Sequence, residues 1–405
     1  MSQTRIAGLP LVLAALAAAA LGQAMQLVAL NVLVLSRTHS APAVAALWVV
    51  PQLALMATGP FVGSLTDRWD KRTTLLVSNV AAGLVVLTLP FVPAVWMMYA
   101  AVGTVAALDG LFRSAFDPYF RLLVPAEGRT RANAVRGVMQ YGALVAGPAM
   151  AGALLIHGRP DLVLEVNAAL LMVSGFLLAW IPGKNPDESA DGAGAPGRWR
   201  QDVVLVWQFF REHRAVGAVL GLFNLGFVFG VAADAEEVVF VHRALLMTAS
   251  TYGVLVSMAG VGYVLGAVAS WLVATRVSAR RLVQVGPLVS GAAYLTYALA
   301  HGFAQAAGGL IALGVFQALA NTGFAAFMQG ALPPERMGRI ASVLRSLVAG
   351  FTIMAALAGG LMVSHFGVRS LMVTATGLMV MQGLALALVC RSPGAAVVFD
   401  RAATA

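Results

Sequence analysis

The chain has 405 residues, of which 60% are hydrophobic and 11% charged, with a formal net charge of +9. Soluble globular domains carry about 25% charged residues, so this composition excludes an ordinary soluble domain and describes an integral membrane protein. The basic residues are spread over many short segments with no single basic face, which excludes nucleic acid as the partner. The only cysteine, Cys390, excludes an intrachain disulfide and argues against a cysteine-based metal site.

A membrane-spanning helix needs about 20 largely apolar residues. Such segments fall at 9–35, 43–64, 74–92, 95–118, 134–156, 161–181, 215–241, 249–274, 282–300, 304–328, 340–364 and 368–390. The opening of the first, Arg5 and an Ala- and Leu-rich run, has the composition of a signal peptide. The run continues through Leu27, Leu30, Val32 and Leu35, beyond an h-region of about 7–15 residues, so it reads as a span. Its polar residues are Gln23, Gln26 and Asn31, which either line a cavity or bond neighbouring helices.

Between the second and third segments lies Gly63-Ser64-Leu65-Thr66-Asp67-Arg68-Trp69-Asp70-Lys71-Arg72. Three basic and two acidic residues between two spans must sit at a membrane surface. The fourth segment carries Asp109, Arg113 and Asp117 at i, i+4 and i+8, on one helical face that drifts about 40° per step. Asp109 and Arg113 fall near mid-membrane and can pair; Asp117 falls near the inner end. An ion pair at that depth serves transport when it faces water and is structural when it does not.

The fifth segment carries Gln140 and the run Gly142 to Gly152, with Gly147 and Pro148 inside it; the sixth carries Glu165 near its outer end. A Gly-, Pro- and charge-rich stretch follows, from Gly183-Lys184-Asn185-Pro186 to Ala195-Pro196-Gly197. It reads as a flexible linker. After it, Trp199, Val203, Val206, Trp207 and Phe210 recur at helical spacing. They suit a helix lying in the interface, or an early start of the seventh span. The expected organisation is a six-helix bundle over 1–182, a cytoplasmic linker over 183–214, and a second six-helix bundle over 215–405.

The seventh segment carries Asn224 and, in its outer half, Asp234, Glu236 and Glu237. Asp234 and Glu237 share a face, whereas Glu236 points about 200° from Asp234. Three carboxylates so close cannot all ionise cheaply, which is what proton coupling requires. The other reading places them in water beyond the helix. The tenth segment carries Gln317 and Asn321. His39, His157, His242, His301 and His365 fall at the outer loops, match no metal motif, and read as solvated.

Sidedness follows from Lys and Arg. With both termini in the cytoplasm, the inner loops and borders hold 21 of them and the outer loops four. A shift of 208 residues places Pro125 on Pro333, Glu127 on Glu335, Arg131 on Arg339, Val135 on Val343, Gly152 on Gly360 and His157 on His365. The same shift sets Asp109 on Gln317 and Arg113 on Asn321. This register predicts two parallel six-helix repeats.

The Gly-x-Leu-x-Asp-Arg-x-x-Lys-Arg spacing, through Gly63, Leu65, Asp67, Arg68, Lys71 and Arg72, resembles the cytoplasmic latch of major facilitator superfamily transporters. Asp70 stands where that loop usually has Gly, which resembles the branch of enterobactin exporters and macrolide efflux pumps. Gly147, Pro148 and Gly152 resemble the family's antiporter motif, with Ala143 and Ala151 where it has Gly. The resemblance implies a twelve-helix all-α membrane fold, proton transfer near Arg113, pairing of Asp117 with the latch, and a monomer in the cell inner (plasma) membrane. It implies a proton-coupled antiporter that exports an amphiphilic small molecule, with no cofactor. A lysophospholipid flippase or uptake symporter keeps the same fold. A non-transporting scaffold or receptor is the reading from another class. The chain has no phosphate-binding Walker loop, so ATP does not drive it directly.

Overall fold

The computed structural model describes residues 9–124, 129–180, 199–273, 276–332, 334–393 and 399. Within these, the side chains at 59–68, 117–118, 121–122, 129–131, 133–134, 199–203, 334–339 and 342 lie outside the described part. Residues 183–198, half of the expected linker, therefore lie outside the described residues.

Twelve long helices and one shorter one account for nearly all of them. The first six are α1 (Leu9–Thr38), α2 (Ala41–Arg68), α3 (Lys71–Thr88), α4 (Val95–Leu123), α5 (Arg129–Leu155) and α6 (Pro160–Ala179). The shorter α7 (Trp199–Glu212) follows, then α8 (Arg214–Asp234), α9 (Ala249–Val273), α10 (Ala279–Ala298), α11 (Phe303–Ala331), α12 (Pro334–Phe366) and α13 (Val368–Arg391). Continuous helix is what a lipid environment demands, because each backbone N–H and C=O must be satisfied within the segment. Eleven of the long helices are long and apolar enough to cross a bilayer. The other, α10, has 20 residues but is diluted by Arg280, Arg281, Gln284, Pro287 and two tyrosines.

The chain divides into two compact units, one drawn from 1–195 with 249–257, the other from 196–248 with 258–405. In the first, α1 packs on α5 and α6, and α3 on α4 and α6. In the second, α8 packs on α12 and α13, and α10 on α11 and α13. The pairing pattern is thus repeated. Turns at corresponding places repeat too: Gly158 (φ 68°) closes α5 and Gly367 (φ 82°) closes α12, each in the left-handed region that glycine enters without a Cβ penalty. Both follow a histidine, His157 or His365, although the glycines are one position out of the 208-residue register.

Two differences from the sequence expectation bear on function. The seventh span is not one helix over 215–241: α8 stops at Asp234, and a short turn at Glu237–Val239 and a π-helix at Phe240–Ala244 continue the chain. π-turns inside helices occur mostly at functional sites. The helix after the linker is separate from α8, interrupted at His213. Val206 and Phe209 of α7 are buried against Val216, Val219 and Leu220, while Val204 and Trp207 face outward.

Asp70 has a local role. Its carboxylate accepts from the Thr73 backbone N–H at 2.8 Å and from the Thr73 hydroxyl at 2.9 Å, so it caps the N-terminus of α3.

Candidate transport site

Polar side chains of the first unit converge on two adjoining cavities. The larger, about 270 Å³, lies between α1, α2 and α4. Gln23, Gln26, Asn31, Trp48, Gln52 and Asp109 supply its polar groups; Leu27, Leu30, Leu47, Pro51, Val102 and Val105 supply the rest of its wall. The smaller, about 130 Å³, lies between α1, α4 and α5, with Asp109, Arg113, Arg136, Gln140, Phe112 and Phe116 among its lining residues. Gln23 and Asp109 belong to both.

Asp109 is the hinge of this arrangement. Its Oδ1 accepts from Gln23 Nε2 at 2.8 Å and its Oδ2 accepts from Arg113 Nε at 2.6 Å. The i, i+4 spacing on α4 brings the ion pair together, and Gln23 ties it to α1. The Arg113 side chain is 67% exposed and that of Asp109 is 23% exposed. Arg136 lies over the Phe116 ring, 5.0 Å from its centroid, and 5.9 Å from that of Phe120. Arg136 is one of the 21 basic residues that the sequence assigns to the inner loops and their borders, and its place in this cavity was not foreseen. Its spacing of four from Gln140 on one helical face was the available signal.

The other neutral polar residues of α1 have separate partners. Gln26 Oε1 accepts from Asn167 Nδ2 of α6 at 2.7 Å, and Asn31 Nδ2 donates to the Tyr252 hydroxyl of α9 at 3.0 Å. Gln140 lines the smaller cavity, and Glu165 is half-buried in α6 outside both. Asn224 donates to the Leu220 carbonyl of its own helix at 2.8 Å. Gln317 Nε2 and Asn321 Oδ1 lie 3.4 Å apart on α11. The side chains of Gly63, Asp67, Arg68 and Asp117 lie outside the described residues. Lys71 is buried in the first turn of α3, and Arg72 is half-buried beside it.

Gly147 and Gly152 mark close helix crossings. A Cβ on Gly147 would stand 2.5 Å from the Ala24 Cβ of α1. One on Gly152 would stand 2.8 Å from the Ser250 carbonyl oxygen of α9, where Gly253 meets it. Pro148 lies within α5 between them.

In the second unit, the break after α8 is lined with carboxylates. The Tyr294 hydroxyl of α10 donates to Asp234 Oδ1, and the Tyr297 hydroxyl donates to Glu237 Oε1 at 3.2 Å. Asp234 and Glu237 therefore turn to the same helix, while Glu236 turns elsewhere. Glu236 is fully buried, and neither of its oxygens has a hydrogen-bond partner among the described residues. The helix does end at Asp234, but Glu236 is buried and Asp234 and Glu237 are half-buried. The tyrosines, at i and i+3 of α10, were not singled out from the sequence. At the far end of the same region Arg369 donates to the Ala300 carbonyl at 3.0 Å and lies over the Phe240 ring.

No group of three His, Cys, Asp or Glu side chains suited to a metal occurs among the described residues. The model of the Major Facilitator Superfamily matches residues 12–242. The chain belongs to the Major Facilitator Superfamily. It is a transporter-family protein and not an enzyme. This superfamily member is 22% identical over 393 residues to an uncharacterized MFS-type transporter, YfiS, of Bacillus subtilis (strain 168), covering 93% of this chain and 92% of the relative. It is 24% identical over 282 residues to the class G tetracycline resistance protein of Vibrio anguillarum, covering 67% and 70%. Its fold is similar to that of a mutant of the nucleoside transporter NupG, with a TM-score of 0.77, 13% identity, and coverage of 94% of this chain and 99% of that one.

Proposed function

We propose that this superfamily member is a proton-coupled antiporter that exports an amphiphilic small molecule by alternating access. The observation that carries the reading is the two pairs Asp234–Tyr294 and Glu237–Tyr297, half-buried carboxylates against buried tyrosines, beside the buried Glu236 at a helix break. Carboxylates in such a site are costly to ionise, and each needs a functional reason to persist. In this reading they carry the proton, with Asp109 and Arg113 as a second proton site. Gln23, Gln26, Asn31, Gln140, Asn224, Gln317 and Asn321 contact cargo. The bundles over 1–182 and 215–405 rock about the cargo, in the inner membrane of a cell, with both termini cytoplasmic and the chain monomeric.

Tetracycline resistance proteins of classes G and C among the relatives support a drug-like cargo. Asp70 in the latch keeps enterobactin exporters and macrolide efflux pumps as the branch in view. The apolar share of the larger cavity wall favours, as a second reading, a lysophospholipid cargo.

Proton flux in proteoliposomes on adding a tetracycline or a macrolide tests the proposal. Wild type should release or take up protons with cargo, and Asp234→Asn or Glu237→Gln should uncouple the two. Unchanged coupling in Asp234→Asn, Glu236→Gln and Glu237→Gln alike would make this cluster structural and move coupling to Asp109 and Arg113.

A further inference from the structure

We propose that the smaller cavity is a subsite for an anionic group of the cargo, so that the transported molecule is an amphiphilic anion whose apolar body occupies the larger cavity. The proposal deepens the transport reading above and rests on it for the word cargo. It does not rest on it for binding.

Charge is the first argument. Two guanidinium groups, Arg113 and Arg136, line the smaller cavity, and Asp109 is the one carboxylate among its described lining residues. That carboxylate is already engaged on both oxygens, by Gln23 and by Arg113. Asp117, one turn further along α4, has its side chain outside the described residues.

Geometry is the second. Arg113 spends only Nε on Asp109. Its two terminal nitrogens have no partner among the described residues, and the side chain is two-thirds exposed. A guanidinium is a rigid fork with five donors, shaped to take a carboxylate, sulfonate or phosphate on a free edge. Arg136 is held over Phe116 and Phe120, which fixes a second positive group facing the same space. Gln140 adds a neutral donor.

The third argument is continuity. Both cavities include Gln23 and Asp109, so an anionic head beside Arg113 places its body against Leu27, Leu30 and Val105 in the larger one. A cationic head would meet Arg113 and Arg136 at close range and find its only described carboxylate occupied.

The test uses the full chain in lipid nanodiscs and three probes of one shape: 2-naphthoate, 2-naphthylmethanol and 2-naphthylmethylammonium. Calorimetry should show naphthoate binding at least tenfold more tightly than either other probe. Arg113→Gln should bring naphthoate down to the alcohol, and Arg113→Lys should keep part of the preference. Arg136→Gln, judged folded by its melting curve, should also narrow it. Equal binding of all three, a preference for the ammonium, or a preference that survives Arg113→Gln would overturn the subsite. Efflux from everted vesicles separates the two readings. Anion-selective binding without proton-driven flux supports the subsite and counts against the exporter; flux that favours the ammonium does the reverse.

Discussion

Gln23 on α1 donates to Asp109 on α4 at 2.8 Å, and this one contact stands where the two cavities of the first unit meet. It leaves Asp109 with both oxygens occupied and holds Arg113 along α4. Removing the carboxylate charge should therefore do more than removing the amide.

Asp109→Asn leaves Arg113 without its charge partner; the Arg113 side chain is 67% exposed, so the effect falls on the charge of the site more than on stability. Transport should fall at least tenfold while the protein still inserts. Gln23→Ala should lower stability by about 1 kcal/mol, the usual net worth of one hydrogen bond. Cargo efflux in vesicles and thermal unfolding in detergent measure the two effects.

Tyr294→Phe and Tyr297→Phe each remove a phenol donor from a half-buried carboxylate. An unsatisfied buried acceptor costs about 1–3 kcal/mol. Both variants should melt earlier and lose proton coupling, with naphthoate binding in the first unit unchanged. Coupling at the wild-type level in both would remove the tyrosines from the proton site.

Gly253→Ala should destabilise the close crossing of α5 and α9. Its Cβ would stand 2.6 Å from the Pro148 carbonyl oxygen and 2.7 Å from the Gly152 Cα, both backbone atoms that cannot rotate away. Overpacking of this kind costs about 1–3 kcal/mol. Gly142→Ala, with open space around its Cβ position, is the control and should melt as wild type does.

Asp70→Ala removes the N-cap of α3 and should cost about 1 kcal/mol, whereas Asp70→Gly should cost only a few tenths. Gly is the residue usual at this place in the latch, so Asp70→Gly should also transport normally. A melting series over the three proteins checks the cap, and efflux checks the latch.

Asp67→Asn tests the latch itself. On the latch reading, transport should drop sharply with insertion and melting unchanged. Full activity in this variant would end the latch assignment.

Hydropathy period and charge placement specified the twelve helices without help from contacts. Lipid allows only continuous helix, so a run such as 304–328 has one available structure. The Asp109–Arg113 pair was legible for a similar reason: i, i+4 spacing is local and survives any arrangement of neighbours.

What those faces meet was decided elsewhere. Tyr294 and Tyr297 reach the carboxylates from another helix, 60 residues along the chain in each case. Gln26 finds Asn167 across 141 residues. Arg136 has the composition of a surface charge and becomes a cavity wall only because Phe116 and Phe120 of α4 lie beneath it. The break after Asp234 was hidden as well, since the apolar run continues through Phe240 and hydropathy registers length but not hydrogen-bond pattern. Local periodicity is a property of one helix; a site needs several, and their mutual placement comes from side-chain packing between segments far apart in sequence.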